Sequence, residues 1–218
     1  MPFTSVPTEQ TTAVTDAVLV LLAIGCLVSL RRFRECDPWR VDLWSWVLGL
    51  LALAAGLGAV AHGLEMSEGL RSLLWQPLFL SLGLVVALFV VAAVHDWKGR
   101  AVSRRLLPVM LAVGVAFFAV TRLVSGSFLV FVAYEAVAMV FALAVYVMMS
   151  AGRRLPGGSI IALGIVLNIV AAAIQASGTV RFTFGVPFDH NGVFHLVQMA
   201  GVVVLVMGVQ RGLLKAVE

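Results

Sequence analysis

Charge is scarce in this chain. Of its 218 residues, 12% are Asp, Glu, Lys or Arg and 61% are hydrophobic. A water-soluble domain carries about a quarter charged residues. The chain therefore cannot cover itself with polar surface, and the solvent it faces must be largely lipid. Cysteine is nearly absent. Cys26 lies inside an apolar run and Cys36 in a basic stretch, which gives neither a zinc spacing nor an obvious disulfide. The only lysines are Lys98 and Lys215. Neither lies within the last apolar run, which argues against a retinal Schiff base. The stretch Met1 to Thr15 has no basic region and no cleavage site after a short apolar run, so no removable signal peptide is read. Soluble domains, low-complexity segments and internal repeats are also missing. The net charge of +4 comes from basic residues in short breaks between apolar runs, with no aromatic-rich polar surface, and this excludes a nucleic-acid partner.

What the chain does have is apolar runs of membrane-spanning length, about 20 residues each. They predict an all-α integral membrane protein, a single domain over residues 1–218 with seven transmembrane helices near 13–31, 41–63, 73–95, 105–124, 127–150, 159–177 and 193–213. Turns are expected near Ser125–Gly126 and Ala151–Gly158, where Gly and Pro interrupt the pattern. Lys and Arg collect on one side of such a bundle. Arg31, Arg32, Arg34 and Arg40 follow span 1, and Lys98, Arg100, Arg104 and Arg105 follow span 3. Arg153 and Arg154 follow span 5, and Arg211 and Lys215 end the chain. The opposite loops hold only Arg71 and Arg181. The bias places the N-terminus outside and the C-terminus in the cytoplasm, and the expected location is a bacterial inner membrane. Trp39, Trp44, Trp46, Trp75 and Trp97 fall near span ends, as an interfacial belt would. Gly49, Ala52, Ala55, Gly56 and Ala59 predict close helix approach along span 2.

Polar groups inside a membrane are costly, so each needs a reason. Here they gather in the outer half: His62, Gln76, Arg122, Glu135, Asn168, Gln175, Asn191, His195 and Gln198. Asn191, His195 and Gln198 stand at i, i+4 and i+7 on span 7, and Asn168 and Gln175 at i and i+7 on span 6. Such stripes predict an outward-facing polar cavity. They also fit interhelical hydrogen bonding, worth about 0.6–2 kcal/mol each. Arg122 with Glu135 would make an ion pair. His95 with Asp96 would make an interfacial pair at the cytoplasmic end of span 3. The rest of the inner half holds almost nothing ionisable before the basic loops.

His62 at the end of span 2 and the segment Asp189–His195 at the start of span 7 carry a resemblance. The arrangement resembles the seven-helix metal-dependent membrane hydrolases: alkaline ceramidases, progestin and adipoQ receptors, and haemolysin III-like proteins. In that group a helix-2 His and an HxxxH pair on helix 7 bind zinc, a Ser stands one turn before the helix-2 His, and an Asp lies near helix 3. In this chain His62 matches the first His and His195 the last. The remaining His falls at Asn191, with His190 beside it, and the Ser position is Gly58. The resemblance implies zinc held by His62, His190 and His195, with Asp189 or Glu65 as ligand, outer partner or base. The zinc would activate water, and Gln76, Asn191 or Arg122 would hold the oxyanion.

Two functions follow as expectations. One is a metal-dependent hydrolase acting on a lipid-like amide or ester. The other is a non-catalytic protein that binds a ligand or membrane lipid, senses it, or serves a membrane complex. A proton or ion carrier relaying through Glu135, Arg122 and His195 is disfavoured by the bare inner half. The Gly178–Asn191 loop, with alternating Arg181–Phe184 and turn residues Gly185, Pro187 and Asp189, is expected to form a lid or an interaction surface.

Overall fold

A computed structural model of the chain describes residues 1–123 and 127–214. The helices are α1 (Pro7–Arg31), α2 (Pro38–Gly63), α3 (Glu68–Lys98), α4 (Arg100–Leu123), α5 (Ser127–Ala151), α6 (Gly158–Ser177) and α7 (His190–Leu214). Among the described residues, seven helices are long and apolar enough to cross a membrane, and each matches one expected span. Most run past the apolar stretch because local signals extend them. Asp37 caps α2 by accepting from the Arg40 N–H at 3.1 Å, with Pro38 preset in the first turn. The expected loop after span 3 shrinks to Gly99, whose φ of 85° lets α3 stop and α4 start at once. The turn expected near Ser125–Gly126, and Lys215, lie outside the described residues. The loop before α7 is an antiparallel hairpin, β1 (Phe182–Phe184) with β2 (Val186–Phe188), turned at Gly185.

Six helices close a ring. α1 packs on α2, α2 on α3, α3 on α5, α5 on α6, α6 on α7, and α7 returns to α1. α4 lies outside it, against α3 and less closely against α5. α6 and α7 approach each other closely. A β-carbon built on Gly164 would stand 2.7 Å from the Leu205 amide nitrogen, and one on Gly208 2.7 Å from the Ile161 nitrogen. Only glycine lets the two backbones meet there. In span 2, by contrast, Gly49 and Gly56 have ordinary contacts at 3.7 and 3.8 Å. Large apolar side chains such as Leu21, Val137 and Leu53 face outward. That surface suits lipid and would be costly in water.

The end of the bundle where Arg40 was expected in a loop and His95 with Asp96 as an interfacial pair holds a buried network instead. Arg40, read above as a loop charge, is 4% exposed. Its Nη2 donates to Asp96 Oδ2 at 2.9 Å, and its Nε lies 2.7 Å from Oδ1 as an ionic contact without hydrogen-bond alignment. The Tyr146 hydroxyl also donates to Asp96 Oδ2, at 2.9 Å. His95 and Asp96 do not pair with each other, because neighbours in a helix point about 100° apart. His95 Nε2 instead meets Asp37 Oδ2 at 2.9 Å. Burial alone would raise the Asp37 pKa, but the Arg40 N–H, His95 and Arg100 outweigh it and hold the carboxyl below the usual range. The interfacial belt is also revised. Trp44 is fully buried, edge-on to Phe89, and Trp39 donates to Ser103 Oγ at 3.0 Å.

Candidate functional site

The first polar feature of the site is on α1, where sequence reasoning did not look. Thr12, Thr15 and Asp16 stand at i, i+3 and i+4, one face of the helix. All three are buried, and α1 packs on α2 and α7. Thr15 Oγ1 donates to the Thr12 carbonyl at 2.8 Å, which leaves its lone pairs towards His195 Nδ1 at 2.9 Å. His195 Nδ1 is then the donor. His195 Nε2 lies 3.3 Å from Asp16 Oδ1. Asp16 Oδ2 is buried without a hydrogen-bond partner. A glycine makes room for it: a β-carbon on Gly58 would stand 2.7 Å from that oxygen.

Asp16, His195 and Gly58 line a cavity of about 390 Å³ inside the six-helix ring. That volume is within the range of small-molecule sites. At the end nearest the α2–α3 turn it is walled by His62, Gln175, His190, Asn191 and Gln198. Towards the middle of the bundle Leu51, Leu82, Val86 and Met139 make it apolar. Among the described residues, none from α4 lines it. Trp75, assigned above to the belt, lines the cavity with its ring edge-on to His62, centroids 5.8 Å apart. His62 Nδ1 is held by Glu9 Oε2 at 2.6 Å. Gln175 Nε2 donates to Asn191 Oδ1 at 3.3 Å. His190 Nδ1 and Gln198 Oε1 are buried without partners. Three orphaned polar atoms thus border one cavity, whereas buried polar groups are ordinarily satisfied.

The expected site residues divide into two groups. His62, Glu135, Gln175, His190, Asn191, His195 and Gln198 line the cavity. Gln76, Asn168, Arg122, Glu65 and Asp189 do not. Asn168 Nδ2 donates to the Gly164 carbonyl at 2.8 Å, one turn back on its own helix, and packs at Gly201. Arg122 is exposed and, among the described residues, makes no ion pair with Glu135. Glu65 turns to the N-terminal segment, accepting from the Ser5 N–H at 3.3 Å, beside a backbone bond from Thr4 to Gly63. Asp189 caps α7 by accepting from the Asn191 and Gly192 N–H groups at 3.0 Å, and it also accepts from the Thr12 hydroxyl. Glu9, Thr15 and Asp16 were missed, although an Asp inside an apolar run is itself a signal.

The three histidines do not fit a zinc ion as they stand. A catalytic zinc takes three free ligand atoms and keeps one position open. Both ring nitrogens of His195 are engaged, and His62 keeps only Nε2. Among the described residues, no three His, Cys, Asp or Glu side chains form a metal-holding group.

A model of a family of unknown function, DUF6962, matches residues 11–214, and the chain belongs to that family. No curated protein and no solved structure matches the chain.

Proposed function

We propose that this member of DUF6962 is a non-catalytic binding protein of a bacterial inner membrane, holding one amphiphilic small molecule or lipid in its intramembrane cavity. The observation that carries this is the coincidence of three unpartnered polar atoms, Asp16 Oδ2, His190 Nδ1 and Gln198 Oε1, with the polar end of one apolar-walled cavity. Orphaned buried polar groups are costly, and a ligand that bonds them offsets that cost. A polar head would sit at that end, with an apolar body towards Leu82 and Met139. The Lys/Arg bias supports an N-terminus outside and a C-terminus in the cytoplasm. Burial of Arg40 removes one charge from that bias, but Arg31, Arg32, Arg34, Arg104 and Arg105 remain. In this orientation the cavity belongs to the outer half of the membrane.

The test is native mass spectrometry of protein purified in mild detergent and supplied with membrane lipid extract. About one small amphiphile per chain is expected, and none in Ala54→Phe, which fills the cavity. Wild-type protein without any bound amphiphile would refute the reading.

The zinc-hydrolase reading retains one supporting observation, that His62, His190 and His195 line the same cavity. It requires Asp16 and Thr15 to release His195. Elemental mass spectrometry decides it: about one zinc per chain, lost in His62→Ala/His195→Ala, would restore that reading.

A further inference from the structure

We infer that the ligand's polar end is an organic cation, an ammonium group on an apolar body, received by Asp16 and Glu135. This rests on the binding reading above and specifies its ligand.

The charges that face the cavity are of one sign apart from its histidines. Among the described residues, Asp16 and Glu135 are the acids that line it, and no Lys or Arg does. Asp16 is 4% exposed, and its Oδ2 has no partner. Its Oδ1 faces His195 Nε2 at 3.3 Å. Glu135 has no such neighbour. Among the described residues it makes no ion pair or side-chain hydrogen bond, and it stands about a third of the way along a membrane-spanning helix. An unpaired carboxylate there is expensive. An anionic ligand would bring a third carboxylate-like charge beside these two. A neutral, weakly donating ligand would leave the Asp16 and Glu135 oxygens without a counter-charge.

Hydrogen-bond polarity points the same way. Asp16 Oδ2 and Gln198 Oε1 are acceptors without donors, and the Glu135 carboxylate is a further acceptor. An ammonium brings three N–H donors and no acceptor. The walls add a second attraction. Trp75, Phe79, Phe131 and Phe194 line the same cavity, and aromatic faces attract cations, most strongly when both are away from water. Gly58 keeps the space in which the Asp16 carboxylate turns to the cavity. An ammonium could come from a zwitterionic lipid headgroup or from a free amphiphilic amine.

The experiment is isothermal titration of the full chain, delipidated in a maltoside detergent, with octylammonium, octanol and octanoate. These three share one chain and differ in head charge. The expected order is octylammonium at least about tenfold tighter than octanol, with octanoate weakest. Glu135→Gln and Asp16→Asn should each weaken octylammonium at least about tenfold and leave octanol nearly unchanged. Glu135→Gln is the safer variant for folding, since Glu135 holds no partner. Octanol binding as tightly as octylammonium would overturn the inference and leave the binding reading standing. Failure of all three to bind would overturn both. Unchanged octylammonium affinity in both variants would also overturn the inference. Competition by phosphatidylethanolamine in mixed micelles would identify a headgroup ammonium, and competition by neither lipid a free amine; both support the inference. Competition by phosphatidylglycerol alone would overturn it.

Discussion

Replacing Asp96 with leucine should leave the guanidinium of Arg40 buried without its counter-ion. The two charges approach to 2.7 Å, and the side chains are 5% and 2% exposed. At an effective dielectric of about 20 their attraction is about 6 kcal/mol. Desolvation of each ion costs several kcal/mol, so the intact pair contributes little net stability. Breaking it from one side is different, because the desolvation cost of Arg40 stays while its compensation goes. The expected loss is about 3–5 kcal/mol, a factor of roughly a hundred to a few thousand in the unfolding equilibrium. Tyr146 also loses its acceptor. The triple change Arg40→Met, Asp96→Leu and Tyr146→Phe removes all three polar groups together. It should lie within about 1 kcal/mol of the wild type, or above it. The assay is reversible unfolding by sodium dodecyl sulfate in mixed micelles, followed by circular dichroism. A loss below about 1 kcal/mol in Asp96→Leu would refute the reasoning. So would a triple variant as unstable as the single one.

Gly164→Val should destabilise the bundle by about 1–3 kcal/mol, since backbone atoms of Leu205 stand where its β-carbon would go. The same unfolding titration should find Gly49→Ala neutral or slightly stabilising, because Leu27 offers only an ordinary contact at 3.7 Å. The depressed Asp37 carboxyl stabilises the folded state above its unfolded pKa of about 4. That contribution is lost as pH falls through the lower folded value. Thermal melts of the wild type should therefore fall more steeply below about pH 4 than those of Asp37→Asn; parallel curves would count against this account. Gly58→Ser should push the Asp16 carboxylate out of place and weaken octylammonium binding, read by the same titration. An unchanged affinity would show that Asp16 does not need that space.

The number and placement of the helices were legible in the sequence because they follow from the apolar runs, whereas their full lengths were not, since caps and turn residues extend most of them. A helix crossing lipid must satisfy its backbone internally and cover itself with apolar side chains, and both demands are written locally. The gathering of His62, Gln175, Asn191, His195 and Gln198 was legible too, since depth along a helix follows from residue number. Partners were not. His195 was read against His62 and His190, yet it meets Thr15 and Asp16, some 180 residues away in the chain. Arg40 read as a loop charge until α3 and α5 brought Asp96 and Tyr146 to it. Trp44 read as interfacial until α3 covered it with Phe89. Hydropathy determines how deep a side chain lies, whereas the rotation of each helix about its axis is set by packing. That rotation alone decided that α1 faces α7 across Asp16 and His195, and that Arg122 stays outside the ring that Glu135 lines.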